Sequence, residues 1–99
     1  MARFDIFENK GGAGFLLDVQ SDLLSGLNTR VVVPLLPKTS APSPAQRLNP
    51  VFNIEDQEVV MATQYIAAVS ESELRSGVGS LAEQQDEISA ALDMLLLGF

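Results

Sequence analysis

The sequence predicts a small α+β domain that is mostly β, with a single helix near its C-terminus. Apolar residues alternate, or run in short β-branched segments, through the first two thirds of the chain. Turns rich in glycine or proline separate these segments, and apolar residues recur at helical spacing only after residue 80. The chain has 99 residues and is 46% hydrophobic. Residues 1–99 are therefore expected to form one domain with one core.

The predicted strands share alternating or β-branched apolar residues. They are residues 3–8, 15–19, 30–35, 51–54, 58–63 and 65–69. A glycine-rich turn at 9–14 joins the first two into a hairpin, because glycine permits positive φ. Pro34 cannot donate to a ladder, so we expect it at a strand end or a sheet edge. Residues 37–50 hold four of the five prolines and predict a long surface loop, and 70–79 predict a polar connector.

The last predicted element is a helix with both of its ends marked in the sequence. Ser80 and Glu83 have the spacing of a capping box, which predicts the start of the helix. Gly98 stands where a helix commonly stops in the left-handed conformation. The core-facing stripe is predicted to consist of Leu81, Ile88, Leu92 and Leu95.

The C-terminal residues LLLGF form an unusually apolar tip, for which two interpretations stay open. In the first, Phe99 packs back on Met94 after the glycine stop. In the second, Leu97 faces a different side from the core stripe, which favours a subunit or partner interface, with dimerisation as its first use. Leu23 and Leu24 fall in a predicted loop and also need a partner to bury them.

The composition argues against several functional classes. The net charge is −7, with five Lys/Arg against four Asp/Glu in residues 1–50 and one against nine in residues 51–99. Without a basic cluster, direct binding to DNA or RNA is not expected. The chain has no histidine and no cysteine, so we predict no metal site and no cofactor, and a hydrolytic enzyme would have to rely on carboxylates, hydroxyls and arginine alone. Asp18 is interpreted as a strand-edge residue, and Ser21 and Asp22 as turn-forming caps. No signal or membrane segment is recognised, which predicts a cytoplasmic protein.

The order of motifs resembles the CcdB family, the toxins of a class of bacterial toxin–antitoxin pairs. The matching stretches are DVQSDLL (18–24), RVVVPL (30–35), LNPVFNI (48–54) and the terminal Gly98-Phe99. The resemblance covers essentially the whole chain. It implies a small SH3-like β-barrel with a sheet extension and one C-terminal α-helix, assembled as a homodimer.

The resemblance also implies a function and a set of contact residues. The protein would bind the A subunit of DNA gyrase and trap the gyrase–DNA cleavage complex, acting by binding rather than by chemistry of its own. A cognate antitoxin, whose disordered C-terminal segment folds on binding, would neutralise it. The implied gyrase-binding residues are Ser21, Leu23, Leu24, Asp93, Leu97, Gly98 and Phe99.

Two other functions stay open. Where this chain has Leu97, Phe99 and Asp93, the best-known toxin of the family has tryptophan, isoleucine and asparagine. These differences favour a CcdB-like dimer that binds its antitoxin and takes part in operon autoregulation without poisoning gyrase. The third hypothesis is a ribonuclease, which would need Arg30 or Arg75 beside a carboxylate in an open basic groove.

Overall fold

The computed structural model describes residues 1–99 and contains seven strands and one helix. The strands are β1 (Asp5–Glu8), β2 (Phe15–Asp18), β3 (Thr29–Pro37), β4 (Val51–Ile54), β5 (Gln57–Met61), β6 (Ala67–Ser70) and β7 (Gly77–Ser80). The helix α1 (Gln85–Leu97) follows the last strand. It is too short to cross a membrane.

All strand pairs are antiparallel and belong to one strongly curled sheet with the order β4-β5-β3-β2-β1-β7. The nine-residue strand β3 is the centre of this sheet. One of its edges pairs with β2, while the other pairs with β6 through residues 29–32 and with β5 through residues 35–37. Because β3 changes partner along its length, the sheet curls into a half-barrel. The predicted mostly-β fold, an SH3-like barrel with one C-terminal helix, is confirmed.

Pro34 lies in the middle of β3, so the prediction that it stands at a strand end or edge is wrong. Its carbonyl accepts a hydrogen bond from Ala62 N at 2.9 Å. In an antiparallel strand the N–H and C=O of one residue point to the same side. The side of Pro34 that lacks an N–H therefore faces Ala62, directly after β5, where the regular ladder with β5 ends.

The two faces of the sheet carry separate hydrophobic clusters, as the side-chain alternation of strands requires. Ile6 and Val33 belong to the main core of 15 buried residues, which α1 joins through Ile88 and Leu92. Phe7 and Val32 point to the opposite face and pack with Leu74 in a smaller cluster. Both faces of β1 are therefore covered.

Two local predictions in the C-terminal third are wrong. Gly77–Ser80 is not a connector but the edge strand β7, which pairs with β1 across a register shift. The capping box does not form, since Ser80 Oγ accepts from Ala82 N at 3.1 Å and α1 begins only at Gln85. A short 3-10 turn at 82–84 precedes the helix. The predicted stripe is confirmed on α1 for Ile88 and Leu92, which are buried, while Leu95 is half-buried. Leu81 is also buried but lies before the helix begins.

Replacing Gly14 with alanine is expected to lower the free energy of unfolding by about 2–4 kcal/mol. Gly14 has φ +86°, and a Cβ at this position would lie 2.0 Å from the Leu35 carbonyl oxygen. Gly79→Ala is the matched control, because a Cβ there meets nothing within 4 Å. Urea denaturation of the two variants measures the difference. Equal stabilities would show that the 9–14 turn tolerates a different path.

Candidate partner-binding surface

The segment 21–27 between β2 and β3 forms a compact, highly exposed loop. Ser21 begins a 3-10 turn, and its Oγ accepts from Leu23 N at 3.2 Å. Leu23 is 94% exposed and Leu24 is 49% exposed. The predicted cap is therefore confirmed for Ser21, whereas Asp22 lies inside the turn and its Oδ1 accepts from the distant Arg3 N at 2.9 Å. Two adjacent leucines are thus displayed on a hydrogen-bonded turn that buries neither of them.

A buried polar network lies directly beneath this loop. The Gln20 side chain accepts from Val31 N at 3.0 Å and donates to the Leu24 carbonyl at 3.2 Å. Its backbone N–H donates to Asp18 Oδ1 at 3.0 Å. Gln20 is 6% exposed, so these are its partners in place of water. An unpaired buried N–H or C=O costs about 1–3 kcal/mol, which makes this network energetically significant.

The innermost part of the network is a buried ion pair between Asp18 and Arg30. Arg30 Nε donates to Asp18 Oδ2 at 2.8 Å. Arg30 Nη2 lies 2.7 Å from the same oxygen but is not aligned for a hydrogen bond to it or to another group. Both side chains are at most 1% exposed, so the interpretation of Asp18 as a strand-edge residue is wrong. Burial raises the pKa of the Asp18 carboxyl above its ordinary value, and Arg30 only partly offsets this effect.

An open groove of about 570 Å³ joins the loop to the second half of α1. Ser21, Leu24 and Leu27 line its loop side, and Asp93 and Leu96 line its helix side. Seven of its twelve lining residues are hydrophobic. The structure therefore brings the predicted residues Ser21, Leu24 and Asp93 to one groove, and it adds Leu27 and Leu96 to them.

The residues Leu97, Gly98 and Phe99, here called the tip, extend beyond the groove. Gly98 has φ +83°, and its N–H donates to the carbonyls of Asp93 and Met94, so the predicted left-handed helix stop is confirmed. Leu97 is 59% exposed and Phe99 is 75% exposed. Met94 is 38% exposed, so any contact of Phe99 with it, the first interpretation of the tip, leaves most of the phenylalanine side chain uncovered. The tip, together with Leu96, forms an apolar end of α1 with no cover from its own chain.

The groove carries one cation and one anion that do not pair with each other. Arg3 lines it together with Asp93, but these two side chains form no ion pair. Arg3 Nε donates to the Val19 carbonyl at 3.1 Å, and its guanidinium lies 4.6 Å from the Phe4 ring centroid. Arg3 is thus fixed at the rim of the groove. The surface can offer a partner apolar contacts and charges of both signs.

Sequence reasoning missed Leu96 and Leu27 as members of this surface. Leu96 follows Leu92 by four residues, a spacing that places the two on the same side of a helix. That spacing was a usable signal, because Leu92 also lines the groove. Leu27 had no such signal, since its place at the groove depends on where the loop lies relative to β3 and α1. No cluster of three or more residues that could hold a metal ion is present.

Solved structures with this fold include small toxins and endoribonucleases. An endoribonuclease from a mycobacterial species matches with a TM-score of 0.75 at 17% identity, over 100% of this chain and 92% of that one. An endoribonuclease in complex with its cognate antitoxin, also mycobacterial, matches at 0.72 and 18%, over 100% and 96%. The Mycobacterium tuberculosis toxin MazF-mt6 matches at 0.73 and 16%, over 92% and 93%. At these identities the likeness establishes a shared fold.

The family follows from the sequence itself. The family model described as CcdB protein matches residues 3–98, which is nearly the whole chain. The chain therefore belongs to the CcdB family of toxins. No curated protein matches it in a direct comparison of sequences.

Proposed function

We propose that this toxin binds the A subunit of DNA gyrase and traps the gyrase–DNA cleavage complex. The observation that carries the proposal is the exposure of Leu23, Leu97 and Phe99, which have no cover from their own chain. The resemblance to the CcdB family assigns these residues to gyrase contact. Apolar residues displayed around a tight glycine stop are suited to form a small binding hot spot. The protein then acts by binding, with no reaction of its own.

The same proposal includes two further partners. A second copy of the chain is the partner that we expect to cover Leu27 and Leu96, because each of these is about half exposed or more. In a two-fold dimer, the same patch of both subunits is in contact across the axis, so a residue can contact its own counterpart or another residue of that patch. A cognate antitoxin is the second partner, supported by the solved complex of a protein with the same fold. Because gyrase and the antitoxin are both cytoplasmic, we expect this protein to act in the cytoplasm.

A ribonuclease function is not favoured by the geometry around the arginines. Arg30 does lie beside a carboxylate, but both side chains are buried and open onto no groove. Arg75 is exposed, and its Nε donates to the Ser72 carbonyl at 2.8 Å rather than facing an acidic partner. Neither arginine therefore has the open basic groove that binding of an RNA backbone requires.

The test is a cleavage-complex assay with purified gyrase from the source organism and supercoiled plasmid. We expect protein-linked linear DNA to accumulate as the toxin is titrated, from a sample shown by sedimentation to be a folded dimer. No linear DNA at high micromolar protein would contradict gyrase poisoning. It would favour the alternative of an antitoxin-binding dimer that takes part in autoregulation, which titration with the antitoxin would then test.

The Leu23→Ala variant makes this test specific to the loop. Leu23 is almost fully exposed, so its truncation is expected to leave the free energy of unfolding unchanged. Its loss from a binding hot spot is expected to weaken gyrase affinity about tenfold, the equivalent of about 1.4 kcal/mol. Val51→Ala is the control, because Val51 is an exposed apolar residue on the distant edge strand β4. Equal effects of both variants would argue against a specific role of the loop.

A further inference from the structure

We infer that Gln20 is the positioning residue of the 21–27 loop and sets the orientation in which Leu23 and Leu24 are presented to a partner. The inference rests on the proposed function only for the identity of that partner. Gln20 is buried, so it acts on the partner only through the loop. Its two side-chain hydrogen bonds join the loop to the central strand of the sheet.

The loop has little else to hold it in place. None of the residues in its 3-10 turn is buried, so no core packing fixes it. The backbone bonds made by the amides of Leu24, Ser25 and Leu27 stay within the loop. Two bonds tie its turn to the rest of the protein: Gln20 Nε2 to the Leu24 carbonyl, and Arg3 N to Asp22 Oδ1. Of these two hydrogen bonds, the one from Gln20 is the one that holds Leu24.

Gln20 can hold the Leu24 carbonyl in place because the oxygen of its side-chain amide is itself fixed to the sheet. The strand β2 ends at Asp18, and Val19 N donates to the Val31 carbonyl. The N–H of Val31 points to the same side of β3 as its carbonyl. Gln20 Oε1 accepts from this N–H and so takes the place of the strand that has ended. The side-chain amide is held at Oε1 by the Val31 N–H of β3, while the Asp18 carboxylate accepts from the backbone N–H of Gln20 and fixes the start of the side chain, so that Nε2 is aimed at the Leu24 carbonyl.

A second buried amide in the chain provides a matched control. Asn49 is 4% exposed, compared with 6% for Gln20. Its Nδ2 donates to the Met61 carbonyl at 2.9 Å and to Gln64 Oε1 at 2.7 Å, and its Oδ1 accepts from Ala45 N at 3.0 Å. Asn49 therefore anchors a loop in the same chemical way, but it anchors residues 45–49 rather than the leucine-bearing loop.

The experiment compares two pairs of full-length variants. In Gln20→Glu and Asn49→Asp, the acceptor oxygen is kept while the donating nitrogen becomes an oxygen that repels the carbonyl it faces. In Gln20→Met and Asn49→Leu, the two side-chain hydrogen bonds of Gln20 and the three of Asn49 are removed without adding a charge, so these variants decide the matter if the acidic ones fail to fold. The measurements are urea denaturation, hydrogen exchange of the Leu24, Ser25 and Leu27 amides, and affinity for the full-length gyrase A subunit.

We expect both pairs to lose similar stability, while only the Gln20 variants lose loop order and binding. Loop amides should exchange at least tenfold faster in Gln20→Met than in Asn49→Leu, and the affinity of its folded fraction should fall at least tenfold. Unchanged loop exchange, unchanged affinity in Gln20→Met, or equal losses in the Asn49 variants would overturn the inference. If the unaltered protein does not bind gyrase A, the proposed function fails and loop exchange alone decides the role of Gln20.

Discussion

Replacing Arg30 with methionine is expected to lower the free energy of unfolding by about 3–5 kcal/mol, enough to unfold much of the population of a marginally stable domain. The substitution leaves the Asp18 carboxylate with no exposed surface, and with the Gln20 N–H as its remaining hydrogen-bond donor. A buried charge without its partner is far more costly than the pair itself was favourable. Urea denaturation, compared with the unaltered protein, measures this loss.

The double variant Asp18→Leu/Arg30→Met is expected to recover part of that stability, because it removes the unpaired charge but leaves the Gln20 N–H without its acceptor. Burial is the largest influence on the pKa of Asp18 and disfavours its charged form, so the pair itself is costly to desolvate. Lys38→Met is the surface control, because Lys38 and Glu58 are 3.9 Å apart and both are more than half exposed. Its effect should stay below about 1 kcal/mol. A double variant less stable than Arg30→Met would show that the ion pair is a net source of stability.

Local patterns predicted the parts of the fold that local chemistry determines. The hairpin of β4 and β5 follows from two apolar runs around Glu55 and Asp56, which take up the left-handed conformation of a tight turn. The extent of α1 follows the spacing of Ile88 and Leu92, and its end follows from Gly98. In each case, the residues that carry the signal are also the ones that make the contacts.

Other features depend on residues far away in the chain. Gly77–Ser80 has two glycines and no strong β propensity, and it becomes a strand because β1 offers it an edge. The start of the helix is delayed because Leu81 N donates to the Phe4 carbonyl, which holds residue 81 against the sheet. The burial of Asp18 depends on Arg30, twelve residues later. None of these partners can be identified from a short window of sequence.

Some features of the candidate surface could likewise be predicted from the sequence and others could not. The exposure of the tip and of Leu23 could be anticipated, because apolar residues outside a helical stripe or within a loop have no place in the core. The joining of Leu24, Leu27 and Leu96 in one groove could not be anticipated, since it depends on where the loop lies relative to α1. The proposed role of Gln20 could likewise not be predicted from the sequence, because a glutamine next to a turn is ordinarily solvated.

Deleting Leu97, Gly98 and Phe99 is expected to abolish gyrase poisoning while leaving the protein folded. Leu97 and Phe99 are mostly exposed, so the deletion removes the helix stop and little core, a loss of about 1 kcal/mol. If the tip forms the binding hot spot, affinity for gyrase A should fall at least 100-fold, the equivalent of about 2.7 kcal/mol. Cleavage-complex yield and urea denaturation of the same sample separate the two effects.

Substitutions at Gly98 refine this prediction without shortening the chain. A Cβ at Gly98 meets nothing within 4 Å, so a side chain there clashes with no part of its own chain, although the φ of +83° strains most residues other than glycine. Gly98→Asn is the control, because asparagine tolerates the left-handed conformation and adds no charge. Gly98→Glu brings a charge that must be desolvated in any interface, so it should lose poisoning to a much greater degree. Unfolding of the truncated protein would show that the tip is structural. Full poisoning by Gly98→Glu would show that gyrase is contacted elsewhere.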